Sequence, residues 1–144
     1  MPTLRPTLAA LATLTVALAG AAFTTTAPAA TLTLDVQQAG GSGELMVAVF
    51  SDAGQWLKKP LRATRQPLQE GPVSLQLADL PDGDYAISLF IDRNANGKLD
   101  SNAMGVPTEP YAFSNNAGGN YGPPNFDHPR FSVKGDTRSL IRLP

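Results

Sequence analysis

The sequence of 144 residues contains no cysteine. Disulfide bonds, thiol nucleophiles, zinc sites built from cysteine and a lipid anchor on an N-terminal cysteine are therefore excluded. It has one histidine, His128, so a transition-metal site, which normally draws on several imidazole or thiolate ligands, is not expected. The fold must be stabilised by the burial of apolar side chains, and a domain of about 115 residues is large enough for that.

Charge of either sign is also scarce. The chain has 11 Lys and Arg residues against 12 Asp and Glu residues, a net charge of −1. This balance predicts neither a nucleic acid nor an anionic membrane surface as a partner. The densest basic stretch, "KKPLRATR" at 58–65, has no interleaved aromatic residues that would stack on bases, so we interpret it as a solvated loop.

The longest apolar run lies at the N-terminus, where it follows Arg5 and ends in small residues. We interpret residues 1–29 as a secretory signal peptide cut after Ala29, with Ala19 to Ala21 as a second cleavage site. A retained membrane anchor is the alternative, although the run is short for the roughly 20 apolar residues that a span requires. One domain, residues 30–144, follows, and we expect it to be exported to the periplasm or outside the cell, with no membrane span.

Alternation of apolar and polar residues predicts strands in several segments. The apolar positions are Leu32, Leu34 and Val36, then Val73, Leu75 and Leu77, then Tyr85, Ile87, Leu89 and Ile91. Residues 45–50 are apolar on both faces, as in a central strand. Near the C-terminus, two further short strands are predicted on either side of Lys134 to Asp136. A short helical turn is expected at Trp56 and Leu57. These signals predict an all-β fold, a single antiparallel β-sandwich with a long ordered loop at 92–129.

The segment "DRNANGKLD", residues 92–100, has the spacing of oxygen ligands in a calcium loop. Calcium prefers several oxygen ligands around one point, and a glycine at the sixth position allows the sharp bend, here Gly97. The predicted ligands are the side chains of Asp92, Asn94, Asn96 and Asp100 and the backbone carbonyl of Lys98. We expect a structural role for such a calcium ion.

Two features separate this loop from an EF-hand. A strand leads into it where an EF-hand has a helix, and Ala103 stands where the motif has a bidentate Glu. Glu109, the nearest downstream acid, is the predicted replacement ligand. The alternative interpretation is a polar Asn96-Gly97 turn, in which the Asp and Asn side chains bond only to the local backbone.

Aromatic and amide side chains cluster in the second half of the long loop. Aromatic rings beside amides are typical of carbohydrate or peptide sites, which combine flat apolar contact with directional hydrogen bonds. The predicted ligand-binding residues are Tyr111, Phe113, Asn115, Asn116 and Tyr121. The alternative is that the rings pin the loop to the domain while the amides satisfy backbone groups.

The stretch from Leu80 to Val133 resembles the bacterial family called domain of unknown function 2141. The shared motifs are "LPDGDY", "DRNANGKLDSN", "GVPTEPYAFSNN" and "GPPNF". The resemblance implies an exported, transthyretin-like or immunoglobulin-like β-sandwich. It implies no activity, but it places Glu109 and Tyr111 on motif positions.

These observations predict a non-catalytic binding or accessory module rather than an enzyme. An envelope structural protein, whose 92–129 loop only packs and binds nothing, is the main alternative. A hydrolase that uses His128 with Glu109 or Asp100 is less favoured, because the G-x-S-x-G motif of a nucleophile elbow is absent.

Overall fold

The computed structural model describes residues 29–38 and 41–144, which form eight β-strands and two short 3-10 helices. The predicted signal peptide, apart from Ala29, lies outside the described residues. The 3-10 helices are Ala53–Gln55 and Ser114–Asn116. The strands are β1 (Ala30–Gln37), β2 (Glu44–Phe50), β3 (Arg62–Pro67), β4 (Val73–Leu80), β5 (Gly83–Asp92), β6 (Tyr111–Phe113), β7 (Phe131–Val133) and β8 (Thr137–Arg142).

The strands form two sheets. Sheet A has the order β4-β1-β8, and sheet B has the order β3-β2-β5-β6. Strand β5 is central in sheet B, since β2 pairs with residues 86–92 along one edge while β6 and β7 share the other edge. None of the helices in the described part of the chain is long and apolar enough to cross a membrane.

The two sheets share one apolar core. Sheet A contributes Leu32, Leu34 and Val36 of β1, and sheet B contributes Ile87, Leu89 and Ile91 of β5. The period-two pattern predicted for these strands is confirmed, as is the central position of β2, and so is the all-β class. On sheet A the opposite face is polar, with an ion pair of 3.3 Å between Asp35 and Arg138.

Two strands differ from the prediction. Strand β8 runs parallel to β1, so the expectation of a purely antiparallel fold is wrong at this pair. The predicted turn at Lys134 to Asp136 does separate two strands, but it leads from sheet B to sheet A, where β4 already occupies the other edge of β1. Residues 62–65 of the stretch interpreted as a solvated loop lie in β3, so that interpretation is wrong for these residues; β3 has no apolar alternation that would predict it, and at the edge of sheet B it tolerates the terminal Pro67.

An aromatic cluster covers part of the outer face of sheet B. Trp56 lies at its centre, with ring centroids 4.9 Å from Phe50, 5.8 Å from Phe113 and 5.9 Å from Phe126. The Trp56 indole N–H also donates to the Pro124 carbonyl at 2.8 Å. The helical turn expected at Trp56 and Leu57 lies slightly earlier, at Ala53–Gln55, and Trp56 follows it. The cluster therefore fixes the segment around Pro124 and Phe126 against the sheet.

The long loop predicted at 92–129 contains more regular structure than expected. Strand β6 and the second 3-10 helix lie within it. Ser114 is completely buried at this point; its hydroxyl accepts a hydrogen bond from the Ile87 backbone N–H at 2.9 Å and donates to the Pro129 carbonyl. This hydroxyl therefore joins the loop to β5.

The buried Tyr85 phenol makes the free energy of unfolding depend on pH in the alkaline range. Tyr85 is 4 % exposed, and its hydroxyl donates to the Pro81 carbonyl at 2.6 Å. Burial raises the pKa of Tyr85 above its ordinary value; Arg62 opposes the shift and Asp82 adds to it. The folded protein thus holds the phenolic proton to higher pH than the unfolded chain. Below about pH 10 this stabilisation is complete, and it is lost as the pH rises through the folded pKa.

We therefore expect the free energy of unfolding, measured by urea titration, to fall above about pH 10. Tyr85→Phe removes the titrating group and should flatten this alkaline decrease. Tyr121→Phe removes an exposed phenol and should retain it. An unchanged alkaline slope in Tyr85→Phe would contradict the assignment.

Candidate metal loop

Asp92, the last residue of β5, is the buried base of the loop. Its side chain is 1 % exposed, and a carboxylate so far from water needs hydrogen-bond donors around it. Its two oxygens accept the backbone N–H groups of Asn96 at 3.2 Å and Gly97 at 2.6 Å. Gly97 has a φ of 77°, a conformation that costs other residues more. The chain therefore folds back over Asp92.

Three side chains converge above this base. The amide nitrogens of Asn94 and Asn96 donate to the two carboxylate oxygens of Asp100, the second at 2.7 Å. The amide oxygens of the same two residues accept the backbone N–H groups of Asn96 at 3.2 Å and Lys98 at 2.9 Å. The structure thus brings together Asp92, Asn94, Asn96 and Asp100, four of the residues predicted from the spacing.

Glu109 closes the loop from the other side. It is 7 % exposed, and its oxygens accept the backbone N–H groups of Arg93 at 2.8 Å and Asp100 at 3.0 Å. These donors lie near the two ends of the loop, so one carboxylate holds both ends. Glu109 therefore bridges the loop backbone, and its additional role as a metal ligand stays a prediction.

Two contributors to the site were missed in the sequence. Asn102 orders the turn beyond the loop, because its side-chain oxygen accepts the backbone N–H groups of Met104 at 2.9 Å and Val106 at 3.0 Å. Gly43 lies against the base of the loop, where an added Cβ would be 2.5 Å from the Asp92 carbonyl oxygen. Asn102 is the last residue of the motif "DRNANGKLDSN", so the sequence could have identified it. Gly43 is distant from the loop in sequence, and no sequence pattern linked it to the loop.

The chemistry of the donors suits calcium better than a transition metal. Within residues 29–38 and 41–144, no group of three or more His, Cys, Asp or Glu side chains is arranged to hold a metal ion. A cation here would depend on amide and carbonyl oxygens as well as carboxylates, which are the ligands that calcium prefers. Rotating either Asn amide about its terminal bond would turn its oxygen toward Asp100 and a cation, in exchange for the hydrogen bond that this oxygen accepts from the Asn96 or Lys98 backbone N–H.

The predicted ligand-binding residues divide into exposed and engaged groups. Tyr111 is 39 % exposed and Tyr121 is fully exposed, whereas Phe113 is buried in the aromatic cluster. The Asn115 amide donates to the carbonyls of His128 and Arg130, and the Asn116 amide oxygen accepts the Arg142 backbone N–H at 2.8 Å. Both amides thus hold backbone groups that are distant in sequence.

A protein-family model for "Uncharacterized protein conserved in bacteria (DUF2141)" matches residues 36–140. The chain belongs to this family. The match confirms the resemblance seen in the sequence, and all of the loop, from Asp92 to Glu109, lies inside it. No curated protein and no solved structure matches the chain.

The bridge formed by Glu109 in this DUF2141 protein gives a stability prediction. Glu109→Gln keeps the size of the side chain but turns one oxygen into an amide nitrogen. That nitrogen would face a backbone N–H donor, either of Arg93 or of Asp100, which would then be unpaired. The cost of leaving a fully buried donor unpaired is about 1–3 kcal/mol, and because both of these N–H groups are only partly buried we expect a loss near the lower end, about 1 kcal/mol.

Urea unfolding would measure this loss in free energy. Glu70→Gln, which changes an exposed Glu, is the matched control and should remain within about 0.5 kcal/mol of the parent. If both variants unfold at the same urea concentration, Glu109 does not hold the loop.

Proposed function

We propose that this DUF2141 protein is an exported, non-catalytic binding or accessory module in which a calcium ion stabilises the 92–100 loop. The ligands would be the side chains of Asp92, Asn94, Asn96 and Asp100 and the carbonyl of Lys98, with Glu109 as a further ligand. The ion would add several oxygen contacts to the hydrogen bonds of the loop, and so would order the segment up to residue 129.

The main support is the convergence of Asn94, Asn96 and Asp100 above the buried Asp92. An Asn-Gly turn needs only one or two such side chains, whereas here Asn94 and Asn96 both donate to Asp100, and Asp92 holds the Asn96 backbone beneath them. A calcium ion accounts for all four through its need for six to eight oxygen ligands.

Export and the detailed fold type are part of the same proposal. The apolar N-terminal segment with its small-residue end supports secretion, and the absence of cysteine is compatible with it. Two sheets around one core support a β-sandwich of the transthyretin-like or immunoglobulin-like kind. A carbohydrate or peptide ligand would meet Tyr111 and Tyr121, whose rings are exposed.

An envelope structural protein is the second candidate function. It is favoured by Asn115 and Asn116, whose amides are committed to backbone groups, and by Phe113, whose ring is in the aromatic cluster. In this alternative the segment after Glu109 packs against the domain and presents no binding surface. Loss of glycan or peptide binding in Tyr111→Ala would favour the binding module, since Tyr111 is at the surface.

Calcium titration calorimetry on the purified protein tests the metal loop. We expect a saturable heat with a Kd of about 10⁻⁴–10⁻³ M, as in extracellular modules. At about 10 mM calcium such affinities would raise the free energy of unfolding by about 1.4–2.7 kcal/mol, which a thermal melt in calcium and in chelator would reveal.

Asp100→Asn removes a predicted ligand charge at a partly exposed position, so it should weaken or abolish the heat while the protein still folds. Asp127→Asn, at an exposed position outside the loop, is the control and should bind as the parent does. No heat and no change in melting up to about 10 mM calcium would sink the proposal and leave a polar turn.

A further inference from the structure

The outer face of sheet B has a pocket beside the aromatic cluster. Its volume is about 430 Å³, and it is lined mainly by Met46, Ala48, Ala63, Arg65, Ser88 and Phe90. Pockets that hold small ligands have volumes of about 300–1,000 Å³ and mostly apolar walls with a few polar groups. The pocket has this size and this composition.

The strand register explains why a trough forms here. Directly paired residues of antiparallel strands point to the same face, so each set of partners forms a row across the sheet. The middle row consists of Ala63, Ala48 and Ser88, which are all small. We call this row the floor of the trough.

Larger side chains border the floor on both sides. One wall is the neighbouring row, in which Met46 pairs with Arg65 and with Phe90. The row on the other side contains Phe50, which is 3 % exposed beneath the Trp56 ring at a centroid distance of 4.9 Å, so the aromatic cluster borders the floor there. The floor crosses two interstrand spacings, about 10 Å, which is about the length of an eight- to ten-carbon chain.

The two ends of the trough differ. At the β6 end, the floor row continues with Phe113, which pairs with Ser88 and whose ring packs against Trp56. At the opposite end, β3 is the edge of the sheet, and Arg65 stands there with its side chain 71 % exposed. Its guanidinium lies 3.7 Å from the Glu44 carboxylate, an exposed ion pair that contributes little.

We propose that this trough binds an amphiphile with an unbranched apolar chain and a single carboxylate. The chain lies on the floor between Met46 and Phe50, and the carboxylate meets Arg65 at the open end. The guanidinium matches a carboxylate through two parallel hydrogen bonds. Glu44 disfavours a head group with a second negative charge.

The lining also argues against a sugar in this pocket. A saccharide needs a hydrogen-bond partner for most of its hydroxyls, while the floor offers two alanines and one serine. The proposal goes beyond the calcium loop and does not require the ion, because the residues that line the trough belong to β2, β3 and β5. A protein that does not bind calcium could therefore still bind the amphiphile, and a protein that does not bind the amphiphile could still bind calcium.

Decanoate is the probe, and calorimetry in calcium-free buffer measures its affinity. Hexanoate, octanoate and decanoate should bind with increasing affinity, by up to about fourfold for each added methylene that becomes buried. Decyltrimethylammonium, which has the same chain and the opposite charge, should bind more weakly than decanoate because it would face Arg65.

Matched variants locate the site. Ala63→Phe fills the floor at an exposed position and should abolish decanoate binding, whereas Ala78→Phe, an exposed alanine of β4 in sheet A, should not. Arg65→Gln should weaken binding about fivefold, and Glu44→Gln should strengthen it by a similar factor. Arg138→Gln, which changes the exposed arginine paired with Asp35 on sheet A, is the charge control. Thermal melts confirm that each variant folds.

Three results would overturn the proposal. One is the absence of saturable decanoate binding up to about 1 mM. The second is equal decanoate affinity in Ala63→Phe and Ala78→Phe, which would place any binding elsewhere. The third is equal affinity for decanoate and decyltrimethylammonium, which would show that Arg65 does not select the head group.

Discussion

The carboxylate of Glu109 is the interaction on which the second half of the molecule depends. By accepting N–H groups from Arg93 and Asp100, it fixes both ends of the 92–100 loop with one buried side chain. The next residue, Pro110, accepts the Ile91 backbone N–H at 2.9 Å and begins the pairing of β6 with β5. The position of β6 in turn sets Phe113, and hence its contact with Trp56 in the aromatic cluster.

Much of the fold could be predicted because burial imposes a period of two on strands with one apolar face. This signal was clear in β1, β4 and β5, and the structure confirms it. Strand β3 gave no such signal, since an edge strand that carries Arg62 and Arg65 buries little of its surface. The parallel pairing of β8 with β1 depends on which sheet edge the other strands leave free. Residues 137–142 alone therefore could not predict it.

The candidate site also has a part that the sequence predicts and a part that it does not. The spacing of Asp92, Asn94, Asn96 and Asp100 is local, so the sequence was sufficient to predict that these side chains converge. The backbone bridge made by Glu109 links groups up to 16 residues apart, and no local pattern encodes it. For Asn115 and Asn116 the local pattern pointed to a binding surface, because amides beside aromatic rings are typical of one. In the structure, tertiary contacts engage both amides with distant backbone.

One strand, β5, positions both the candidate metal loop and the proposed ligand pocket, on the same outer face of sheet B. Residues of β5 alternate, so Ile87, Leu89 and Ile91 stabilise the core while Ser88, Phe90 and Asp92 point to the outer face. Phe90 forms a wall of the trough and Asp92 forms the base of the loop, two residues apart on one rigid central strand. Because β5 is paired along both edges, the loop does not need to move for the trough to exist. The proposed calcium ion would contact the end of β5 and the loop that follows it, whereas the proposed amphiphile would contact β2, β3 and the middle of β5, so the two proposals depend on different contacts.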